Sequence, residues 1–465
     1  MVKRRHALML PYPAQGHVKP MMQLSKILAA RGYYITFVNT DYIHDRMVKS
    51  GSAHSGVDFR FETISDELPP EHGRTHQIDE LSESLVDNGP AQLENLVEKL
   101  KALPDLPPFT CIVYDGCMSW AQKTATRLDI PGVSFWTPSA CGFYIYLSWP
   151  LLKEMGYIPL KDKSYLTNGY MEEEISCIPG MPPFRMKDVP NFCHDATNYM
   201  FKFVETQGQA AFSADSIILN TFDELEGPVM KELQERLPVY SIGPLLLEQK
   251  NGFSDSSANI WAAEPSCLQW LDEQEPGSVV YVCFGSITVM SDEELVEFAW
   301  GLEASKQSFL WVIRPDISHG ASAKLPVEFV EKVKGRGFFV SWAPQMEVLS
   351  HPSVGGFLTH SGWNSTIEAI CAGVPMICWP FFAEQQLNRT YVSQVWKIGM
   401  AMKDVVERGE VEEMVKRLMS GKEGEEMRTR ICELRDASIR AMKEGGSSYN
   451  NLEKLFVEIE EENRS

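Results

Sequence analysis

Short runs of consecutive apolar residues recur along this chain, each followed by a longer stretch with helical spacing. This alternation restricts the fold more than any other feature. In the first half the runs are "HALMLPYP", "YYITFVNT", "VDFRFETI", "TCIVYDG", "PGVSFWT", "DSIILNT" and "PVYSIGP". Helical patterns lie between them, among them "KPMMQLSKILAARG" near residues 19–31 and "IDELSESLVDNGPAQLENLVEKLKAL". A strand with one wet face alternates apolar and polar residues, whereas most of these runs are apolar nearly throughout. They predict parallel strands covered by helices on both faces. Residues 245–265, "LLLEQKNGFSDSSANIWAAEP", break the rhythm with Ser, Asn, Gly and Asp and read as a linker. The rhythm then restarts with "SVVYVCFGS", "SFLWVIR", "GFFVSWAP", "VGGFLTHSG" and "VPMICWP". A chain of 465 residues exceeds what one core holds. The expected domains are 1–245, a linker over 246–263, and 264–465, with the last helix, about 447–463, packing back on the N-terminal domain. Two αβ halves of this kind bind ligands in the cleft beyond the carboxyl ends of their strands.

Composition narrows the partners. The formal net charge of −20 repels nucleic acid and anionic lipid over the whole molecule, although a local site can still hold a phosphate. The ten cysteines show no C-x-x-C pair and no metal-ligand spacing, and several sit in apolar runs such as "YVCFGS" and "AICAG", as in a reducing compartment. The opening "MVKRRHALMLPYPA" imitates a secretion signal, but its apolar part is short and broken by Pro11 and Pro13, which suits a buried strand. No run of about 18 apolar residues is present, so no spanning helix is predicted. The expectation is a cytoplasmic monomer with no nucleic-acid partner. The sequons at Asn364 and Asn388 carry no meaning in that compartment.

The densest polar constellation is "WAPQMEVLSHPSVGGFLTHSGWNSTIEAICAGVPMICWPFFAEQQ", from Trp342. Its centre reads as a strand, a His-Ser-Gly turn, and a helix opening near Trp363. Helix N-termini carry unpaired N–H groups and roughly half a positive charge, which makes them anion sites. His360, Asn364 and Ser365 add donors, and Gly362 admits a close approach. The same pattern also serves a plain N-cap, with Ser361 or Asn364 closing the helix. A second glycine turn, "CFGS" with Ser286, should lie at the same sheet edge. Trp342 ends a strand, where an indole can stack on a planar base or fill the core. Glu368 lies one helical turn after Asn364 and suits ribose hydroxyls, or solvent. Glu384 and Gln385 come after another strand and suit either a sugar or a cap.

The segment from Trp342 to Gln385 closely resembles the signature box of plant family-1 UDP-dependent glycosyltransferases. The segments "PYPAQGH", "VYDGCMSW", "FWTPSA" and "VVYVCFGS" are similar to that family too. The resemblance implies the GT-B fold, α/β with two Rossmann-like βαβ domains facing across a cleft, and a UDP-sugar as donor with no covalently bound cofactor. It implies that Trp342 stacks on uracil, with the Ala343 backbone on the base edge. Gln345 and Glu368 would hold the ribose. His360, Asn364, Ser365 and Ser286 would bind the diphosphate, and Gly16 and Gly362 would permit approach to the donor. Trp363, Glu384 and Gln385 would contact the sugar, with Thr137 reaching it from the N-terminal half. A final Gln at 385 goes with UDP-glucose in that family. Many members have Asp where this chain has Glu384.

Glycosyl transfer needs a base for the attacking hydroxyl and stabilisation of the departing diphosphate. No metal site is expected. His17 comes after the first strand at a helix start, whose dipole favours the neutral imidazole. Asp115 ends the strand "TCIVYDG" on the same sheet edge and would stabilise the imidazolium. In the resembling family these two positions form the catalytic pair, which implies inversion to a β-glucoside. Capping or packing is the alternative reading of His17.

The rival architectures leave other marks. A nicotinamide-dependent oxidoreductase predicts G-x-G-x-x-G after a strand, and neither "PYPAQGHV" nor "CFGSIT" has it. A non-catalytic nucleotide-sugar binder predicts an eroded pair or box. The acceptor is read as a small lipophilic alcohol of flavonoid, phenolic, terpenoid or cyanohydrin type. Other UDP-sugars, and C-, N- or S-glycosides, are the alternatives. Phe143, Trp149, Phe192 and Phe201 are either an acceptor wall or, at helical spacing, ordinary core.

Overall fold

β1 (His6–Leu10) lies inside a seven-stranded sheet built by the first half of the chain. The other strands are β2 (Tyr34–Thr40), β3 (Phe59–Ile64), β4 (Cys111–Asp115) and β5 (Gly132–Trp136). After a two-stranded hairpin of β6 (Glu174–Ile175) and β7 (Phe184–Arg185) come β8 (Ser216–Leu219) and β9 (Val239–Ser241). The sheet order is β3-β2-β1-β4-β5-β8-β9, with every neighbouring pair parallel. The computed structural model describes residues 4–53, 56–74, 77–248, 260–261, 263–315, 317 and 325–462.

The continuous apolar runs find partners on both faces. In β1, Leu8 and Leu10 join Ile112 and Tyr114 against Leu81, Leu85, Leu93 and Val97 of the helix Ile78–Lys101. Ala7 and Met9 face the other way, against Val18, Met21, Leu24 and Leu28 of the helix Gln15–Ala30. Leu452, Leu455 and Phe456 of the helix Ser447–Glu462 close the same face. That last helix is tied to β9 and its exit: Ser448 Oγ donates to Gly243 O at 2.6 Å, Asn451 Nδ2 to Ser241 O at 3.0 Å, and Tyr240 Oη to Glu458 at 2.6 Å.

The second half repeats the plan with β10 (Val279–Cys283), β11 (Ser308–Val312), β12 (Gly337–Val340), β13 (Val354–Thr359), β14 (Met376–Cys378) and β15 (Gly399–Ala401). The order is β12-β11-β10-β13-β14-β15, again parallel. In each sheet the chain builds outward from its first strand, then returns to the other side. The reversal falls between β1 and β4 in one sheet and between β10 and β13 in the other, and such switch points are where α/β sheets bind ligands.

The chain divides into two compact units. One holds Met1–Met186, Phe192–Trp261 and Arg440–Ser465, and the other holds Lys187–Asn191 and Ala262–Ile439. Most of the expected linker, 249–259 and 262, lies outside the described residues. The aromatic residues weighed as an acceptor wall are buried: Phe143 and Trp149 are 0% exposed, and Trp149 stacks on Phe201 at 4.8 Å. Phe192 is buried as well. Their helical spacing reports core. All ten cysteines are unpaired thiols.

His6 makes the first sheet sensitive to acid. It is fully buried against Phe109, donates from Nδ1 to Pro107 O at 2.9 Å and accepts the Thr36 hydroxyl at Nε2, 2.8 Å away. Burial pushes its imidazole down to about 4 from 6.5, so the unfolded chain takes up the proton first. Its contribution to stability is complete above about pH 6.5 and is lost as the pH falls towards about 4. Urea midpoints measured across that range should fall more steeply for the native chain than for His6→Asn. Parallel curves would contradict this assignment.

Candidate active site

In the first unit the helix Gln15–Ala30 starts earlier than the expected 19–31. Ala14 O accepts from both His17 N and Val18 N at 2.9 Å, so the turn closes directly behind Pro13. Pro20, expected near the start, lies inside the helix, where it forfeits only the bond to the Gly16 carbonyl. Gly16 and His17 therefore belong to the first helical turn rather than to a loop before it.

His17 Nδ1 lies 2.8 Å from Asp115 Oδ2, across the switch point between β1 and β4. Asp115 Oδ1 accepts the Cys117 N–H at 2.9 Å, so both carboxylate oxygens are held by N–H donors. The Asp115 side chain is 1% exposed and that of His17 23%. With Nδ1–H donated to the buried carboxylate, Nε2 carries the lone pair. The Thr137 hydroxyl, expected against a sugar, sits 2.9 Å from His17 Nδ1, behind the pair. Shortly after Thr137 the next helix, Ala140–Leu147, begins. Glu226, buried and missed by sequence reasoning, caps that helix: it accepts Ala140 N at 3.0 Å, Cys141 N at 2.8 Å and the Thr221 hydroxyl at 2.6 Å.

Among the described residues, His17, Asp115 and Cys117 form one group whose potential metal-ligand atoms lie within 4.8 Å of one another. Nδ1 lies within hydrogen-bond distance of Oδ2, and the second carboxylate oxygen takes the Cys117 N–H.

In the second unit the polar residues gather at the carboxyl ends of five adjacent strands. After β10 come Gly285, at φ +75°, and Ser286. Arg314, just past β11 and 1% exposed, donates to Gly285 O and, at 2.8 Å, to Thr288 O. After β13 come His360, Ser361 at φ +62° and Gly362, then the helix Trp363–Ala372. Gly362, not Ser361 or Asn364, is the N-cap of this helix. The His360 ring fills the space beside two glycines: a Cβ on Gly285 would lie 2.4 Å from its Nε2, and one on Gly362 2.5 Å. Burial, with Arg314 nearby, pushes His360 down to about 4, so it is a neutral donor. Its Nδ1 has no partner among the described residues. Asn388, fully buried, donates to Ser361 O at 3.0 Å and braces that left-handed residue.

Trp342, past β12, is half-exposed and so is not a core tryptophan, while Ala343 beside it is buried. Gln345 differs from expectation. Its Oε1 accepts the Tyr281 hydroxyl at 3.2 Å, and its Nε2 donates to Ser365 Oγ at 2.9 Å and to Glu368 Oε2 at 2.7 Å. The amide is engaged by the protein and orients Glu368, so in this structure Gln345 supports the site instead of presenting itself to a ribose. The Trp363 indole is buried beside Trp396, at 6.2 Å, which places it in the packing behind the helix start. Asn364 is half-exposed in the first helical turn. Past β14, Glu384 precedes the helix Gln385–Thr390, and Gln385 Oε1 accepts from Phe381 N at 2.8 Å and Phe382 N at 3.1 Å. Only the Nε2 hydrogens of Gln385 remain for a ligand.

Comparison with known proteins shows the family to which the chain belongs. Residues 259–437 match the family described as UDP-glucoronosyl and UDP-glucosyl transferase. The chain is 50% identical to 7-deoxyloganetin glucosyltransferase of Gardenia jasminoides over 97% of each chain. It is 46% identical to (R)-mandelonitrile beta-glucosyltransferase of Prunus dulcis, covering 98% of this chain and 97% of that one. The crystal structure of Os79 from O. sativa in complex with UDP matches with a TM-score of 0.83 at 28% identity, over 97% of this chain and all of the other. The chain belongs to the plant family-1 UDP-glycosyltransferases. It is a glycosyltransferase of GT-B fold whose donor is a UDP-sugar.

Gly362→Ala tests whether the turn beside His360 holds a diphosphate. The backbone there, φ −63° and ψ 144°, accepts alanine, so the cost is the clash with His360. Displacing that ring should weaken UDP binding by calorimetry roughly ten- to a hundredfold, as overpacking of about 1–3 kcal/mol implies. Unchanged affinity would show that His360 does not bind the diphosphate.

Proposed function

We propose that this enzyme transfers glucose from UDP-glucose to a hydroxyl of a small lipophilic acceptor, inverting the anomeric carbon to give a β-glucoside without a metal ion. The acceptor oxygen attacks the anomeric carbon, its proton passes to His17 Nε2, and the bond to the diphosphate breaks with its electron pair leaving on UDP. Asp115 stabilises the imidazolium. The observation that carries this reading is the 2.8 Å contact between His17 Nδ1 and buried Asp115, which leaves Nε2 as the base.

The donor half answers the other need. The start of the helix Trp363–Ala372, neutral His360, Ser286, Asn364 and Ser365 supply donors to the departing diphosphate, with Arg314 adding charge through the loop it holds. Trp342 stacks on the base, Glu368 takes the ribose hydroxyls, and Glu384 and Gln385 Nε2 meet the sugar. Relatives named for glucosyl transfer, one of them beta-glucosyl transfer, support glucose and the β product. Relatives named for 7-deoxyloganetin and (R)-mandelonitrile support an alcohol acceptor of terpenoid or cyanohydrin type. Ten free thiols and a buried sequon residue, Asn388, support a cytoplasmic protein, and no helix among the described residues is long and apolar enough to cross a membrane. A monomer accords with exposed large apolar side chains that, among the described residues, are mostly valines with Phe212 as the one phenylalanine.

Incubating UDP-glucose with a panel of alcohols, and reading product mass and anomeric coupling, tests the reaction with and without a chelator. His17→Ala should lower kcat by about 10²–10⁴ with UDP affinity unchanged. Native turnover in that variant, or an α-linked product, would refute the mechanism.

A further inference from the structure

Residues Lys187–Asn191 belong to the second unit, although the chain before Lys187 and after Asn191 belongs to the first. The short segment runs along the helix Gln385–Thr390. At one end Asp188, 2% exposed, accepts the Thr390 hydroxyl at 2.7 Å and pairs with Arg389 Nη2 at 3.4 Å. At the other end the Asn191 amide spans the loop in front of that helix. Its Oδ1 accepts Ala383 N at 3.0 Å, and its Nδ2 donates to Phe381 O at 3.4 Å.

The loop needs that support. Ala383 adopts φ +58°, a left-handed conformation unfavourable for a residue with a Cβ. Three successive N–H groups of the loop are met by two side chains: Phe381 N and Phe382 N by Gln385 Oε1, and Ala383 N by Asn191 Oδ1. Gln385 thus holds one half of the loop and Asn191 the other, and Glu384 comes directly after the strained residue. We propose that Asn191 is a positioning residue for the donor sugar, fixing the Phe381–Gln385 loop so that the enzyme prefers glucose to its epimers. This rests on the reading that Glu384 and Gln385 meet the sugar. Epimers differ only in the direction of one hydroxyl, so a loop free to relax loses the discrimination before it loses the nucleotide.

The test measures kcat/KM for UDP-glucose and UDP-galactose, together with inhibition by UDP, in the full-length enzyme. Asn191→Ala should lower the glucose-to-galactose ratio about tenfold, the equivalent of one lost positioning hydrogen bond, while the inhibition constant of UDP stays within about twofold. Asn191→Asp keeps an acceptor for Ala383 N and should recover most of the ratio. An unchanged ratio in Asn191→Ala, a parallel loss of UDP affinity, or no recovery in Asn191→Asp would overturn the proposal. Gln385→Ala separates the two levels. If it leaves the ratio unchanged, the underlying sugar reading fails, and if it alters the ratio while Asn191→Ala does not, only the role of Asn191 fails.

Discussion

The hydrogen bond from His17 Nδ1 to Asp115 Oδ2 joins residues far apart in sequence, and the fold of the first half exists in a form that makes it. Strands β1 and β4 are neighbours because the chain builds β2 and β3 on one side and then returns to the other. Their carboxyl ends come out side by side with the crossovers leaving in opposite directions. That opening is where one residue from each end can meet without a helix between them. Burying Asp115 is tolerable because both its oxygens are bonded, and the bond to His17 sets which ring nitrogen is basic.

The second sheet uses the same reversal for the opposite task. At β10 and β13 the residues that meet are Gly285 and His360, and the product is a set of neutral donors rather than a base. Two residues there, Ser361 and Ala383, hold left-handed backbone despite their side chains. Each is braced by an asparagine, Asn388 on the Ser361 carbonyl and Asn191 on the Ala383 N–H. Strain of about 1–3 kcal/mol per residue persists only where the surroundings hold it, and here it shapes the turn before the helix Trp363–Ala372 and the loop before the helix Gln385–Thr390.

Much of this was legible in the sequence for a physical reason. Strands buried on both faces must be continuous apolar runs, so the runs marked the strands and their ends marked the sheet edges that carry His17, Asp115, Trp342, His360 and Glu384. Residues that support the site left no such mark. Arg314 is a lone cation behind "SFLWVI", a signal that could have been pursued, but Asn388 resembled a sequon and Tyr281 a strand aromatic. Asn191 comes directly before Phe192, which was weighed as acceptor wall or core, whereas the Asn191 side chain braces the loop at Ala383. Proline misled at the first helix: Pro20 resembles a start signal, yet Ala14 O already closes the turn. Gln345 was assigned by its place in the box, and only the geometry shows both ends of its amide engaged by the protein.

The central claim is that His17 and Asp115 act as one base. A double-mutant cycle on kcat, using His17→Ala, Asp115→Ala and the two together, addresses it most directly. Groups that act as a unit are lost together, so the double variant should be no slower than His17→Ala alone. Losses that multiply, with the double variant slower by the product of the two single effects, would show that the residues act independently and would contradict the account.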